Sequence, residues 1–269
     1  MMAMRGRRAK NRRSKDIYGI ISISIVVLII IIGTGYYYIE NRPQNLNDEN
    51  LCPSSGPQGH YILLIDKTDS LNFTQKQSFN VILKDLVGNV PKGYLLSVFA
   101  LGENFEETAK PLVELCNPGD GSKESELTAN IGKLQAKYKS RFLEPVSAIS
   151  ESLLISESEK LSPILEMVQL VGVNGFRKHG VNGERRLIIV SDMLHNTPQF
   201  SMYKEKLSYA DFSKLPYGRK TQSELLDVEI ELHYLINRPE LQTKRNLKFW
   251  EDYFINAGGR IVSVRPMEG

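Results

Sequence analysis

A short apolar run that ends in polar residues constrains the fold of this chain most strongly. The run YILLI is followed at once by Asp66, Thr68 and Ser70. A run this short, bounded by polar residues, predicts a parallel strand buried on both faces. Ligands bind at the carboxyl ends of such strands, and the alternation predicts that Asp66, Thr68 and Ser70 converge while Lys67 and Asp69 face elsewhere. Their oxygens are hard ligands of the kind that Mg²⁺ prefers.

A second apolar strand, RLIIVS, ends in Asp192. If both strands belong to one parallel sheet, the carboxylates of Asp66 and Asp192 meet at the same edge, where their charges repel and a divalent cation would relieve the repulsion. Between them in sequence, Ser162 precedes Pro163 at the start of a predicted helix. A serine before a proline at the first helical position indicates an N-cap of that helix.

The rest of the chain alternates predicted strands and helices. Helical periodicity covers residues 73–87, 127–152 (with Pro145 as a break) and 241–257, and strand patterns cover residues 94–101, 111–115, 226–236 and 260–264. The link between the strands at 94–101 and 111–115 has no helix, so these strands should be antiparallel neighbours. The Gly-rich residues 172–183 indicate a solvated turn. This order predicts a doubly wound α/β domain with six strands.

The motifs that end in Asp66–Ser70, begin at Ser162 and end at Asp192 resemble, in this order, those of von Willebrand factor type A (vWA) domains. The resemblance covers roughly residues 60–265. It implies a three-layer, Rossmann-like fold with a mostly parallel six-stranded sheet and one antiparallel edge strand. It also implies that Asp66, Thr68, Ser70, Ser162 and Asp192 surround Mg²⁺ (or Mn²⁺), directly or through water, as in a metal-ion-dependent adhesion site (MIDAS). An acidic side chain of a protein partner would fill the open position.

Three positions depart from the family pattern. Thr68 stands where a Ser is usual, Ser162 where a Thr is usual, and Met193 where a Gly usually follows the last aspartate. The first two changes keep the hydroxyl oxygen. The third removes the conformational freedom of a glycine from the loop after the strand.

The two cysteines, Cys52 and Cys116, suit a disulfide because an even number in an exported domain favours pairing over two free thiols. The resemblance to vWA domains places Cys116 at the end of the antiparallel edge strand. That position lies at the same end of the domain as Cys52, opposite the metal site, and implies a disulfide between them.

The N-terminal part of the chain predicts a membrane anchor. Residues 17–39 are apolar and uncharged, and as a helix they would span about 34 Å, against a hydrocarbon core of about 30 Å. The seven basic side chains of residues 1–16, opposed only by Asp16, exceed the net charge of +3 and leave the rest of the chain slightly acidic. The positive-inside rule places this basic segment in the cytoplasm. Residues 40–59 indicate a linker and residues 60–269 the vWA-like domain. The chain is then a single-pass membrane protein with an extracytoplasmic (in a Gram-negative bacterium, periplasmic) domain, and a cleaved signal peptide is the alternative.

The sequence does not favour an enzyme or a nucleic-acid-binding protein. Ser191 lies outside a nucleophile elbow, and the four histidines, expected at surface or turn positions, lack metal-ligand spacing. The predicted function is metal-dependent binding of a protein partner. The alternatives are a structural scaffold with a degenerate metal site and, more weakly, a metal-dependent phosphohydrolase. The aromatic residues of the loop over 194–224 either form a recognition surface or pack within the loop.

Overall fold

The computed structural model describes residues 21, 23–37, 46–102, 109–122, 124, 129–155, 159–204 and 208–268. The chain forms two compact units, residues 1–45 and 46–269. In the first unit residues 23–37 are helical, and their apolar side chains are exposed. Within the described residues no helix has both the length and the apolar character needed to cross a membrane. The predicted transmembrane helix over residues 17–39 is therefore not shown, and the predicted basic tail lies outside the described residues.

The second unit alternates strands and helices along the chain. Its strands are β1 (His60–Asp66), β2 (Leu95–Leu101), β3 (Val113–Cys116), β4 (Arg185–Ser191), β5 (Val228–Leu235) and β6 (Arg260–Met267). Its α-helices, numbered within this unit, are α1 (Phe73–Asn89), α2 (Ile131–Tyr138), α3 (Glu144–Leu154), α4 (Ile164–Leu170), α5 (Tyr209–Phe212), α6 (Pro216–Lys220) and α7 (Lys244–Asn256). Two π-helical segments, Lys139–Leu143 and Val171–Arg177, follow α2 and α4.

The six strands form one sheet in the order β3-β2-β1-β4-β5-β6. All neighbouring pairs are parallel except β2 and β3, which are antiparallel. The predicted sheet, mostly parallel with one antiparallel edge strand, is thus confirmed. Ile65 of β1 pairs with Val190 of β4, so these two strands end at the same level of the sheet. This register decides where the polar residues after each strand lie.

The sheet lies between two apolar layers because side chains alternate along each strand. Ile62 and Leu64 of β1 pack on one face with α4, the π-helical segment after it and α7. Leu63 and Ile65 pack on the other face with α1, α3 and the π-helical segment before α3. Every residue of β1 is buried, which fits a central strand covered on both faces. The three-layer arrangement leaves the strand ends as the sites where polar groups can meet.

The structure differs from the sequence prediction at two places, the predicted helix break at Pro145 and the predicted turn at residues 172–183. Pro145 does not break its helix, because the turn before it widens into the π-helical segment Lys139–Leu143, where the Glu144 N–H bonds to the Lys139 carbonyl. The predicted solvated turn at residues 172–183 was wrong at its start, since the chain stays helical to His179. Gly175 is buried there, and a Cβ on it would lie 2.4 Å from Ile62 Cδ1. The glycine permits close packing rather than a turn.

A disulfide joins Cys52 to Cys116, as predicted. Cys116 ends β3, next to the start of β2, and its N–H donates to the Asn50 carbonyl at 2.8 Å. Leu51 is fully buried in the layer that holds α1. The packed part of the chain therefore begins at residue 46, earlier than the predicted domain boundary at residue 60.

Candidate metal centre

Two buried carboxylates lie together at the carboxyl edge of the sheet. Asp66 is the last residue of β1 and Asp192 follows β4 directly, and these strands are parallel neighbours with matched ends. Asp66 is 3% exposed and Asp192 2% exposed. The apolar runs before them force this placement, because burying the strands on both faces carries their last polar residues to the edge.

Among the described residues, the Asp66 carboxylate accepts hydrogen bonds from three hydroxyls and one amide. Oδ1 accepts the Thr68 N–H at 2.9 Å and the Thr68 hydroxyl at 2.6 Å. Oδ2 accepts the Ser191 hydroxyl at 2.8 Å and the Ser162 hydroxyl at 3.4 Å. Burial raises the pKa of Asp66, and the hydrogen bonds from Thr68 and Ser191 oppose that rise. Asp66 is thus held by donors from three separate segments.

Asp192 is held by fewer donors. Its Oδ1 accepts the Leu194 N–H at 2.8 Å, whereas its Oδ2 is buried and has no hydrogen-bond partner among the described residues. Burial, followed by the charge of Asp66, raises the pKa of Asp192 well above the usual value for an aspartate. A buried oxygen without a donor is the kind of group that a cation or a proton would satisfy.

Ser162 faces the carboxylates and does not cap the helix. The residue at the cap position of α4 is Pro163, and no side-chain hydrogen bond is made there. Two backbone hydrogen bonds pair Ser162 with Asn196 of the loop after β4, at 2.8 and 2.9 Å. This pairing holds the Ser162 hydroxyl beside Asp66, so of the two interpretations of the sequence the edge position is the observed one.

Ser70 and Asp69 differ from the expectation of alternation. Ser70 is exposed, and within the described part of the chain no hydrogen bond joins it to Asp66 or Asp192. The Asp69 carboxyl, expected to face elsewhere, lies near Asp192, and its charge contributes to the raised pKa of Asp192. Strand alternation ends with β1, and residues 67–70 bend, so the period of two no longer applies to them.

The loop after Asp192 keeps a left-handed turn without a glycine. Met193 has a φ of 55°, a value that favours glycine and costs an ordinary residue roughly 1–2 kcal/mol. Its carbonyl accepts hydrogen bonds from Trp250 Nε1 at 2.8 Å and Asn246 Nδ2 at 3.3 Å, and its side chain is fully buried. Contacts with α7 therefore hold Met193 in the left-handed conformation that a glycine usually adopts at this position.

The oxygens at this edge of the sheet are of the kind that the metal implied by the resemblance requires. Asp66, Thr68, Ser162 and Asp192 supply oxygens, and the unpartnered Asp192 Oδ2 gives one of them a free lone pair. Mg²⁺ is bound through few protein oxygens and keeps several waters, so these residues fit it. In the part of the chain that the structure describes, no group of three or more His, Cys, Asp or Glu side chains is arranged to hold a metal ion. A site here would depend on hydroxyls and water.

The aromatic residues of the loop after β4 pack within the protein. Tyr209 and Phe212 are buried against α7, and Tyr217 is half-buried over His195. Tyr203 is 41% exposed, and burial followed by the charge of Asp192 raises its pKa to about 12. Of the two interpretations of this loop, packing is the observed one for most of its aromatic rings.

The histidines were expected at surface or turn positions, and for three of the four this was wrong. His60, His195 and His233 are at most 4% exposed. Burial lowers the pKa of His60 and of His195 to about 3, so both are neutral at physiological pH. His60 bonds to Ser97 and His195 to backbone and hydroxyl groups, contacts that the linear sequence gave no signal for.

Comparisons with known proteins identify no family. No family model matches the chain, and no curated protein matches it. Among solved structures, the chain is similar to the VWA domain of SpRpn10, with 14% identity and a TM-score of 0.38 over 78% of this chain and 89% of that chain. It is also similar to the human COPII-coat protein Sec24c, with 11% identity and a TM-score of 0.36 over 80% of this chain and 30% of that chain. Neither likeness is strong enough to carry an argument, and the structure itself shows a mostly parallel six-stranded sheet with one antiparallel edge strand.

Proposed function

We propose that the unit of residues 46–269 is a non-enzymatic protein-binding module that depends on a divalent cation. Asp66, Thr68, Ser70, Ser162 and Asp192 would hold Mg²⁺ or Mn²⁺, directly or through water. A carboxylate of the protein partner would complete the site. The partner's charge would meet a cation that the protein oxygens neutralise only in part.

One observation carries this proposal: two buried carboxylates share one edge of the sheet, and the Asp192 Oδ2 has no donor among the described residues. Two adjacent buried anions are unfavourable unless protons or a cation compensate for them. The hydroxyls of Thr68 and Ser162 supply further hard oxygens at the same edge. An ion that prefers oxygen ligands is thus the simplest group to satisfy the site.

The proposal is tested by titrating Mg²⁺ and Mn²⁺ into the full-length chain in detergent, followed by calorimetry. The wild type should bind one equivalent, and Asp192→Asn should bind at least tenfold more weakly because a charged ligand is lost. Asp227→Asn is the matched control, since Asp227 precedes β5 at the opposite edge and its side chain is 80% exposed. No binding by the wild type, with or without an acidic peptide that could complete the site, would refute the proposal.

The second candidate is a structural scaffold without a metal. It is favoured by the hydrogen bonds from Thr68, Ser191 and Ser162, which already satisfy Asp66 without a cation. In this case EDTA should leave the unfolding temperature and any partner binding unchanged. Capture of a partner that is lost on adding EDTA and restored by Mg²⁺ would exclude the scaffold.

We further propose that residues 17–39 anchor the chain in a membrane, with residues 1–16 in the cytoplasm and the sheet domain on the other side. The apolar sequence and the basic residues before it support this orientation. The Cys52–Cys116 disulfide supports it too, because disulfides persist in oxidising compartments. Protease added to spheroplasts, or to intact cells that have no outer membrane, should degrade the domain. Protection of the domain until the membrane is lysed would refute the orientation.

A further inference from the structure

A buried chain of hydrogen bonds lies behind the candidate metal centre. The Leu165 N–H donates to His195 Nδ1 at 3.3 Å, so the proton of this neutral ring is on Nε2. His195 Nε2 lies 3.0 Å from the Tyr217 hydroxyl and 3.2 Å from Thr197 Oγ1. The Tyr217 hydroxyl in turn donates to Glu166 Oε1 at 2.5 Å. The chain therefore runs from α4 through the loop after β4 and back to α4.

Two members of this hydrogen-bond network, Leu165 and His195, lie close in sequence to two segments of the centre. His195 follows Asp192 by three residues, and Leu165 follows Ser162 by the same number. Ser162 and Asp192 belong to different segments, so no local chain geometry fixes one relative to the other. They are connected by the backbone pairing of Ser162 with Asn196, the residue after His195.

Tyr217 connects the long loop after β4 to this hydrogen-bond network. Tyr217 belongs to α6, and its ring contacts Phe212 in the aromatic cluster as well as His195. Its hydroxyl is hydrogen-bonded to side chains on both sides, Glu166 of α4 and His195. Burial raises the pKa of Tyr217, so the hydroxyl keeps its proton and remains a donor. The packed aromatic loop thus has a defined polar contact with the helix that follows Ser162.

We propose that His195 and Tyr217 are positioning residues, which hold the Ser162 hydroxyl against the Asp66 carboxylate by fixing α4 to the loop after β4. The consequence for metal binding rests on the function proposed above. The consequence for the local structure does not. Among the described residues, neither His195 nor Tyr217 is hydrogen-bonded to the Asp66 or Asp192 carboxylate. Their effect on the centre would therefore pass through Leu165, Glu166 and the Ser162–Asn196 pairing.

The test uses Tyr217→Phe, which removes the hydroxyl and keeps the ring. Tyr253→Phe is the matched control, because the Tyr253 hydroxyl is also buried and bonds to Thr221 O at 3.0 Å and to Ser223. Two quantities are measured on the full-length chain: Mn²⁺ affinity by calorimetry, and amide hydrogen exchange at Ser162, Leu165 and Asn196. We expect Tyr217→Phe to weaken Mn²⁺ binding about tenfold and to speed exchange at these amides by a similar factor, as loss of one hydrogen bond to a charged group implies. Tyr253→Phe should change neither.

The outcomes separate this inference from the proposed function. Faster exchange at the three amides in Tyr217→Phe alone, in a protein that binds no Mn²⁺, would support the positioning role and refute the metal site. Unchanged exchange and affinity in Tyr217→Phe, or equal changes in both variants, would overturn the positioning role. If Tyr217→Phe does not fold, Glu166→Gln provides the second test, since it keeps an acceptor for the Tyr217 hydroxyl and should give smaller changes at the same amides. No change there would overturn the inference.

Discussion

Removing the disulfide should lower the free energy of unfolding of the sheet domain, by an amount that depends on the number of residues between the two cysteines. Cys52 and Cys116 are 64 residues apart, and the loop between them contains β1, α1, β2 and β3. In the chain-entropy treatment, opening a loop of this length stabilises the unfolded state by about 4 kcal/mol. For a domain of this size each kcal/mol lowers the unfolding temperature by roughly 2–4 °C, so the double variant Cys52→Ala/Cys116→Ala should unfold about 8–16 °C below the wild type.

The assay is urea and thermal unfolding of the wild type and the double variant, each with and without dithiothreitol. The reductant should shift the wild type to the stability of the variant and leave the variant unchanged. The rate of hydrogen exchange at the Cys116 amide should also increase in the variant, because the disulfide holds the Asn50 carbonyl against this amide. A difference in unfolding free energy below about 1 kcal/mol would refute the entropic reasoning. It would mean that burial of Leu51 alone holds residues 46–59 in place.

Two further predictions concern burial. Burial lowers the pKa of His60 to about 3, so on acidification the unfolded state binds a proton before the folded state does. The contribution of neutral His60 to the free energy of unfolding is therefore fully present above pH 6.5 and is lost as the pH falls toward 3. At pH 5 the loss from this residue should be about 2 kcal/mol, and urea unfolding of His60→Gln should show a correspondingly smaller fall between pH 7 and pH 5. Gly175→Ala should destabilise the domain by about 1–3 kcal/mol, because the added Cβ would meet Ile62. Gly88→Ala is the control: a Cβ there has no atom within 4 Å, so in the same assay this variant should be neutral or stabilised by up to ~1 kcal/mol. A neutral Gly175→Ala would contradict the packing argument.

The fold could be predicted because its sheet is buried on both faces. Apolar runs as long as a strand leave little choice of element, and the missing helix between β2 and β3 predicted their antiparallel pairing, as observed. The π-helical segments were not predictable in this way. Each depends on a long-range fit, such as that of Gly175 against Ile62, and hydrophobic periodicity carries no information about the partner.

The candidate site was predicted where strands end and missed where loops turn. Asp66 and Asp192 meet because register fixes their positions. Asp69 and Ser70 do not follow the alternation of β1, because residues 67–70 bend. Ser191 lies outside a nucleophile elbow, and its hydroxyl donates a hydrogen bond to Asp66. The sequence contains a signal for this contact. Ser191 is a small polar residue at the end of a buried strand, and a buried hydroxyl there needs a hydrogen-bond partner such as the aspartate on the neighbouring strand.

The two carboxylates of the centre differ in how much of the fold depends on them. Asp66 accepts hydrogen bonds from Thr68 and Ser191, so replacing it leaves buried hydroxyls without their acceptor and destabilises the domain whether or not a metal binds. The Asp192 Oδ2 accepts nothing from the described residues, and an amide nitrogen in its place could donate to Asp69. Loss of partner binding in an Asp66 variant would therefore not distinguish a lost cation from a damaged loop. The same loss in Asp192→Asn, with unfolding unchanged in EDTA, can be assigned to the cation.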